Sequence, residues 1–425
     1  MRKVVAILMI LVVVCGFAFG AGSSEKATQI ATGKTKLVVA AESWQINKLF
    51  LQKAADDFMV VHPDVEVVLQ EYADSTVVTN YAIDWSSGKT PVDIVVIDGA
   101  QFVKQFIAKG LIYDFEKDLD FFKDYDKSKF VSSALQMSRV GKNLYVIPLI
   151  SEIQAVNINT EMFRKAGLVD SNGNALVPKT WEEFHDFAKK MTIKDANGKV
   201  IQQGAVIQWN DDMHGTVLGA LQAARGNIYG SDDISINFDN PEFRNILKVW
   251  KEGVADGSFS TETFADTDAG RNDYKAGKVA MLIESSGRWV EGGNALGFDK
   301  VSVCGIPGDG GSCGYVNGVF LPKASKNTAI ALQFIKEGML GEYSQVNTLN
   351  QYGKIPVITA YFDKADRPEW ANIKHAMDYA TTYPAYNDSG KFQDQLRIII
   401  QEGLVNGTVA DTVAKLEAMI ASLNK

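Results

Sequence analysis

Residues 310–314 read Gly-Gly-Ser-Cys-Gly and match the G-x-S-x-G spacing that surrounds a nucleophilic serine in many hydrolases. That serine needs a sharp turn from a strand into a helix, which exposes its hydroxyl. Here the glycine-rich segment leads into Tyr315–Leu321, which has the pattern of a strand. The motif therefore predicts a structural loop rather than a catalytic centre, and no catalytic residue is assigned.

Cofactor chemistry is equally poorly supported. Gly88-Lys89-Thr90 and Gly33-Lys34-Thr35 resemble the end of a phosphate-binding loop, but Ile83 and Thr28 stand where its first glycine is required. The four histidines, His62, His185, His214 and His375, are scattered and lack the spacing of metal ligands. We therefore predict no nucleotide, no metal and no other cofactor.

The composition limits the class of protein. The chain has 425 residues, of which 46% are hydrophobic and 22% are charged. These percentages are typical of a globular protein. The length exceeds what one hydrophobic core usually organises. Lys and Arg number 43 against 51 Asp and Glu, for a net charge of -8. An acidic chain of this kind is a poor nucleic-acid binder, so no nucleic-acid partner is expected.

The N-terminus has the pattern of an export signal. Arg2-Lys3 precede an uncharged apolar run, and small residues end in Ala18-Phe19-Gly20. We predict a signal peptide at 1–20, a flexible tether at 21–35 and a mature start at Ala21. Two alternatives stay open, an uncleaved anchor and a lipoprotein modified at Cys15. All three place the protein outside the cytoplasm, in the periplasm or at the cell surface.

Export also decides how the two cysteines outside the predicted signal peptide are interpreted. Cys304 and Cys313 flank a segment rich in glycine, and an even pair in an oxidising compartment favours a disulfide. The alternative is a pair of free buried thiols. We predict the disulfide.

Strand and helix patterns alternate along the chain. The predicted strands include 37–40, 65–69, 92–97, 155–159, 204–208 and 278–283. The predicted helices include 46–62, 241–257, 328–340, 411–423 and one that opens at the capping box Thr180–Glu183. Such alternation predicts an α/β fold with mostly parallel sheets flanked by helices.

Several segments, in order, carry a resemblance. They are Gly141–Pro148 (GKNLYVIP), Ala155–Asn159 (AVNIN), Met162–Leu168 (MFRKAGL), Pro178–Phe184 (PKTWEEF), Ala276–Met281 (AGKVAM), Gly287-Arg288-Trp289 and Gly353–Val357 (GKIPV). Together they resemble the extracellular solute-binding proteins of the maltose/multiple-sugar class, the soluble receptors of ABC importers.

The resemblance implies a two-lobed periplasmic-binding-protein fold with a hinge of crossing strands and a ligand held between the lobes. We expect lobe 1 to comprise residues 36–150 and 306–342, and lobe 2 residues 151–305 and 343–425. The crossings are expected after Pro148, near Cys304–Pro307 and around Leu340–Ser344. The expected partners are a small-molecule ligand, a sugar in the first instance, and the membrane permease of an ABC importer, with the receptor itself a monomer.

A sugar site combines aromatic rings with carboxylates and amides along the hydroxyl rim. The candidate aromatic residues follow predicted strands or lie near the third crossing: Trp44, Trp209, Trp289 and Tyr352. Trp289, which matches the family's G-x-W, is expected to contribute most to affinity. The remaining tryptophans, Trp85, Trp181, Trp250 and Trp370, are interpreted as packing residues.

The candidate polar residues come from the same loops: Glu42, Asp98, Glu152, Gln154, Asp211 and Asn317. Of the adjacent pair Asp211-Asp212, we expect one ligand contact and one surface charge. Two hypotheses from different classes remain, a transport receptor without catalytic activity and an exported carbohydrate-active enzyme. Within the receptor class, the ligand could also be a polyol phosphate or a polyamine. The motifs favour the sugar receptor.

Overall fold

The computed structural model describes residues 33–73, 81–230 and 234–423. The predicted signal peptide, Cys15, Ala21 and most of the tether lie outside these residues. Among the helices that are described, none is long and apolar enough to cross a membrane.

The strands extend almost the whole length of the chain. They are β1 (Thr35–Glu42), β2 (Val65–Tyr72), β3 (Ile94–Asp98), β4 (Arg139–Val140), β5 (Asn143–Leu144), β6 (Ile147–Asn159), β7 (Ile193–Lys194), β8 (Val200–Ile207), β9 (Phe259–Ser260), β10 (Val279–Ser285), β11 (Val301–Cys304), β12 (Gly314–Phe320) and β13 (Ile355–Pro356).

Helices fill the connections between the strands. They are α1 (Ser43–Lys48), α2 (Leu51–Val61), α3 (Tyr81–Ser86), α4 (Lys104–Ala108), α5 (Ser132–Met137), α6 (Thr160–Lys165), α7 (Trp181–Met191), α8 (Met213–Arg225), α9 (Pro241–Asp256), α10 (Thr267–Lys275), α11 (Arg288–Leu296), α12 (Thr328–Phe334), α13 (Glu342–Tyr352), α14 (Thr359–Phe362), α15 (Lys374–Asp378), α16 (Ser389–Val405) and α17 (Val409–Leu423).

One long mixed sheet organises these elements, in the order β2-β1-β3-β12-β6-β10-β8-β7. The strands β1, β2 and β3 are parallel, as are β8 and β10, whereas β12 and β6 run antiparallel to their neighbours. The predicted α/β class is therefore confirmed. The sheet is more mixed than the alternating pattern suggested.

The apolar core divides into two halves, which we call lobe 1 and lobe 2. Lobe 1 is built on β1–β3 and β12 with α2–α5 and α12, and lobe 2 on β8, β10 and β11 with α6–α11 and α15–α17. Strand β6 joins them, because Ile147–Ile150 pack in lobe 1 and Ala155, Val156 and Ile158 in lobe 2. The exact residue boundaries of the lobes stay a prediction.

Most of the predicted elements form close to their expected positions. The helix predicted to open at Thr180 forms, and the Thr180 hydroxyl accepts from the Glu183 amide at 3.2 Å. Only this half of the predicted capping box is present, because the Glu183 carboxylate accepts from the Lys179 amide at 2.7 Å. The helix predicted for 46–62 is instead two helices, α1 and α2. They are separated at Phe50, which adopts a left-handed conformation with φ of 54°.

Candidate functional site

The carboxyl ends of two parallel strands place acidic side chains at one edge of lobe 1. Strand β1 ends at Glu42 and β3 ends at Asp98, and both strands pair in the same sheet. Asn317 of β12 lies directly opposite Asp98. In open α/β sheets, ligands bind at this edge.

Strand β6 brings further polar residues to the same place. Glu152 lies opposite Tyr315 of β12, and Gln154 lies opposite Ser285, the last residue of β10. Both Glu152 and Gln154 are buried. The site is therefore located where β6 passes from one lobe to the other.

Glu152 is the centre of a buried ion pair. Its Oε2 atom is 2.5 Å from the Lys354 ammonium and also accepts a hydrogen bond from the Ser285 hydroxyl. Burial opposes ionisation, but the Lys354 charge, the hydrogen bonds from Lys354 and Ser285 and the Arg288 charge together outweigh it and lower the pKa of Glu152. The other carboxylate oxygen, Oε1, is buried without a partner among the described residues.

Asp98 and Asn317 also present buried atoms that nothing in the described chain satisfies. The unpaired atoms are Asp98 Oδ1 and Asn317 Nδ2, whereas Asn317 Oδ1 accepts from Gln45 Nε2 at 3.0 Å. Burial raises the pKa of Asp98 well above its usual value, and the nearby carboxylates Glu152, Glu42 and Asp212 raise it further. Buried polar atoms are normally paired, so these atoms mark a place where hydrogen-bonding groups are expected from a ligand.

Two tyrosines form an aromatic wall beside these carboxylates. The rings of Tyr315 and Tyr383 are stacked, with centroids 5.5 Å apart and planes at 27°. Helix α8 approaches closely here, because a Cβ at Gly215 would lie 2.4 Å from the Tyr383 hydroxyl and 2.6 Å from Gln154 Nε2. The glycine at this position lets the amide and the hydroxyl pack closely against the helix.

Trp44 covers another side of the site. Its ring is half-buried, its Nε1 donates to Glu42 Oε2 at 2.7 Å, and the Lys354 ammonium lies 5.4 Å from its centroid. The structure therefore brings Glu42 and Trp44 together with Asp98, Glu152, Gln154 and Asn317, which were all expected to contribute to one site.

Two polar contacts link the lobes around this cluster. Lys48 of α1 lies 3.4 Å from Glu291 of α11, and Lys104 Nζ donates to the Ala385 carbonyl at 2.6 Å. Tyr352 lies near the first contact, with the Lys48 ammonium 5.6 Å from its ring centroid. The lobes are thus in contact across the site.

Comparison with known proteins identifies the family. Residues 53–377 match the model of the bacterial extracellular solute-binding proteins. The chain belongs to this family. A binding protein of Brucella abortus (strain 2308) is 22% identical over 410 residues, which cover 93% of this chain and 95% of that protein.

Solved structures show the fold of this solute-binding protein. The GacH receptor of Streptomyces glaucescens GLA.O, solved unliganded and with acarbose, is 19% identical with a TM-score of 0.75, over 92% of this chain and 98% of that one. An ABC transporter solute-binding protein of Thermotoga lettingae, bound with α-D-tagatose, is 18% identical with a TM-score of 0.74, over 93% and 100% of the two chains. The predicted two-lobed periplasmic-binding-protein fold is confirmed. Family and neighbours are solute-binding proteins rather than enzymes.

Two tryptophans expected in the site of this solute-binding protein are core residues instead. Trp289 has no exposed surface and packs edge-on against Trp370, at a centroid distance of 5.3 Å. Trp209 is equally buried, and its Nε1 donates to the Ser260 carbonyl at 3.0 Å. Both follow strands as predicted, but their rings turn inward to fill lobe 2. The packing interpretation of Trp85, Trp181, Trp250 and Trp370 is confirmed by their burial.

The two adjacent aspartates lie in different surroundings. Asp211 is exposed, whereas Asp212, immediately before α8, interacts with Glu284, Arg271, Arg288 and Glu152. Burial and the Glu284 charge raise the pKa of Asp212 to about 6. Asp212 is therefore the member of the pair that interacts with the charged residues of the site, and the assignment of a ligand contact to Asp211 stays a prediction.

The predicted disulfide is absent, because Cys304 and Cys313 are free and buried. The segment between them is held in place rather than flexible: Gly310 N donates to the Ala223 carbonyl at 2.8 Å. A Cβ at Gly310 would lie 2.3 Å from the Gln222 carbonyl, so its glycine permits this close packing. Cys304 pairs with Val156 of β6, and the Cys313 carbonyl accepts a hydrogen bond from the Gln154 amide of the same strand at 2.9 Å. Burial raises the pKa of the Cys304 thiol to about 12.

Several site residues were missed by the sequence reasoning. Lys354 lies inside the Gly353–Val357 motif and Arg288 inside Gly287-Arg288-Trp289, so attention to the charged members of those motifs would have found them. Tyr383 follows no motif that the sequence reveals. It reaches the site because residues 381–383 lie beside Cys313 and β12.

Proposed function

We propose that this protein is the substrate-binding protein of an ABC importer, and that it captures a sugar or oligosaccharide between its lobes and delivers it to a membrane permease. The observation that carries the proposal is the set of buried, unpartnered atoms at Asp98, Glu152 and Asn317. Aromatic rings lie close by, because Trp44 lies near the Lys354 ammonium that pairs with Glu152, and Tyr315, which stacks on Tyr383, lies opposite Glu152 in the sheet. Hydroxyl groups of a sugar ring can pair with such atoms, while its apolar face stacks on the rings.

The similar structures support a sugar ligand. The GacH receptor was solved with acarbose and the Thermotoga lettingae protein with α-D-tagatose. A phosphate-bearing ligand is less well supported here, since the cations Lys354, Arg271 and Arg288 already pair with carboxylates.

Capture is proposed to use hinge closure. A ligand that contacts both lobes binds the closed form better and shifts the population toward it. The Lys48–Glu291 and Lys104–Ala385 contacts join the lobes and would form on closure. Small-angle scattering should show a smaller radius of gyration with saturating ligand.

We also propose that the protein is exported, that it is a monomer and that it has no catalytic activity. The family is one of extracellular proteins, and no helix among the described residues could span the membrane. Periplasmic release and lipid anchoring at Cys15 are distinguished by the mass of the purified mature protein. Periplasmic release predicts a mature protein that begins at Ala21, whereas lipid anchoring predicts a protein with an acylated Cys15.

A thermal-shift screen across sugars, polyols, amino acids and polyamines tests the function. A ligand at 100 times its Kd adds about 2.7 kcal/mol of apparent stability. The proposal expects shifts from sugars, with Asn317→Ala reducing them and with no cleavage of the bound oligosaccharide on long incubation. Shifts confined to amino acids or polyamines would overturn the sugar assignment, and cleavage products would overturn the receptor.

A further inference from the structure

Gln154 of β6 has a buried side-chain amide that nothing in the described chain satisfies. Its backbone is paired, because the N–H donates to the Cys313 carbonyl at 2.9 Å and the carbonyl accepts from the Ser312 hydroxyl at 2.6 Å. The side-chain atoms Nε2 and Oε1 have no hydrogen-bond partner among the described residues, although Gln154 is only 1% exposed. Buried polar groups are normally paired, so a ligand group is the expected partner of this amide.

The hydroxyl of Tyr383 is unpaired at the same place. A Cβ at Gly215 of α8 would lie 2.4 Å from this hydroxyl and 2.6 Å from Gln154 Nε2, so the two atoms lie close together. Tyr383 and Gln154 interact, but the hydroxyl makes no hydrogen bond of normal geometry within the described chain. Two neighbouring side chains therefore offer three unpaired atoms.

Packing holds both side chains in position. The Tyr383 ring contacts the His214 ring edge-on, with centroids 4.3 Å apart, and stacks on Tyr315 at 5.5 Å. One turn further along α8, a Cβ at Gly219 would lie 3.2 Å from the Cβ of Gln154. The helix thus lies directly against Gln154, and the amide and the hydroxyl are fixed before a ligand arrives.

The pair belongs to the face of the sheet that carries the rest of the site. Side chains two residues apart on a strand point to the same face, so Gln154 and Glu152 share one. Tyr315 lies opposite Glu152 in β12, and Ser285 lies opposite Gln154 in β10. Gln154 and Tyr383 therefore extend the row of unpaired atoms from Glu152 into lobe 2.

The chemistry of the amide selects the ligand group. An amide presents a donor and an acceptor side by side, and two hydroxyl groups on adjacent carbons match both. One hydroxyl accepts from Gln154 Nε2, and the other donates to Oε1. The Tyr383 hydroxyl lies beside Nε2 and bonds to the first of them. An ionised carboxylate or phosphate has no hydrogen for Oε1 and would leave that oxygen unpaired.

We propose that Gln154 and Tyr383 are specificity-determining residues that bind a vicinal diol, that is, two free hydroxyl groups on adjacent carbons of one sugar ring. This inference rests on the proposed function and narrows its ligand class to sugars in which both hydroxyl groups are unsubstituted. Gly215 has no side chain and leaves the space that the amide and the tyrosine hydroxyl occupy.

The test removes the hydroxyl groups of the sugar one at a time. Calorimetric titration uses glucose, galactose, mannose, maltose and cellobiose, with the derivatives of each that lack a single hydroxyl. Removing either hydroxyl of the bound pair should weaken binding by about tenfold, the worth of one buried hydrogen bond. In Gln154→Ala the same removals should have little effect, because the protein partner is already lost. Tyr383→Phe should reduce the effect of only one of the two hydroxyls.

Matched variants separate a ligand contact from a structural role. Gln52→Ala removes an exposed amide on α2 and should leave the effect of every hydroxyl unchanged. Tyr383→Phe removes a hydroxyl without a partner in the described chain, so the melting temperature without ligand should not fall. A clear fall would overturn the assignment of this hydroxyl to the ligand. Gln154→Met, which keeps the length of the side chain, replaces Gln154→Ala if that variant does not fold.

The outcomes distinguish this inference from the proposed function. If sugars bind but no two adjacent hydroxyls lose their effect in the folded Gln154 variant, the diol inference is wrong and the sugar receptor stands. If none of the five sugars binds to the folded protein, the inference fails. If no sugar of the thermal-shift screen binds either, the sugar-receptor function fails with it.

Discussion

Asp98 and Asn317 lie opposite each other on the antiparallel strands β3 and β12, and each has a buried side-chain atom without a partner in the described chain. One atom is an acceptor and the other a donor. Adjacent unpaired atoms of opposite type suit a hydroxyl group, which accepts and donates at once.

Asn317→Ala should therefore weaken ligand binding by about tenfold or more, since a hydrogen bond in a buried site is worth about 1.4 kcal/mol. Calorimetric titration with the tightest sugar of the thermal-shift screen measures this loss. The variant also removes the acceptor of Gln45 Nε2, so the free energy of unfolding should fall by about 1–2 kcal/mol. The exposed Asn143→Ala is the control, and equal affinities of the two variants would contradict the assignment.

Trp289→Ala should lower stability rather than affinity, because its ring fills the core of lobe 2. Emptying such a site costs about 3–5 kcal/mol of unfolding free energy. Its Nε1 has no partner among the described residues, so Trp289→Phe should retain most of the stability. Chemical denaturation measures both.

The half-buried Trp44 provides the matched comparison. Trp44→Ala should reduce affinity by at least tenfold with a smaller loss of unfolding free energy, because truncating an aromatic anchor removes contact area from the ligand. The pattern would be refuted if Trp289→Ala weakened binding more than Trp44→Ala did, with both variants folded.

These tryptophans show what the sequence predicts and what it leaves open. Periodicity places strands and their ends, so Glu42, Asp98 and Glu152 could be expected at one edge of the sheet. It does not determine which way a ring turns after the strand, and this decides the roles of Trp44 and Trp289. Tyr383 and the pairing of Lys354 with Glu152 depend on contacts between distant segments, which no local pattern encodes.

Glu152→Gln should destabilise the protein by about 3–5 kcal/mol, because it leaves the buried Lys354 ammonium without its carboxylate. The double variant Glu152→Leu with Lys354→Met removes both charges and should recover most of that stability without recovering binding. Urea denaturation of Glu152→Leu, of Lys354→Met and of the double variant gives the coupling energy. The exposed pair Lys53 and Asp57 is the control, and removing Asp57 should change little. Additive effects at Glu152 and Lys354 would contradict the buried ion pair.

Both cysteines should be free thiols that react only after unfolding. Burial raises the pKa of both Cys304 and Cys313, so little reactive thiolate is present in the folded protein. Thiol labelling of exported, unreduced protein should be slow in buffer and should modify both residues in denaturant, as read by mass spectrometry. Unmodified cysteines in denaturant would instead reveal the disulfide that the structure lacks.

Asp212 should make stability depend on pH between about 4 and 7. Its pKa in the folded protein is raised from 3.8 to about 6, so the native state binds this proton more tightly than the unfolded state. The resulting stabilisation is complete below pH 4 and is lost as the pH rises through 6. Asp212→Asn removes the titration. Its unfolding free energy relative to wild type should therefore increase over this range, by at most about 3 kcal/mol at 1.36 kcal/mol per pKa unit.

Urea denaturation of the ligand-free protein at several pH values measures that difference. Asp211→Asn, the same substitution at the exposed neighbouring residue, provides the control. The charges that act on Asp212 are Glu284, Arg271, Arg288 and Glu152. The ion pairs of Glu284 with both arginines and of Glu152 with Lys354 should persist across this range. A flat profile for Asp212→Asn would mean that Arg271, although 3.9 Å away, already compensates Asp212 fully.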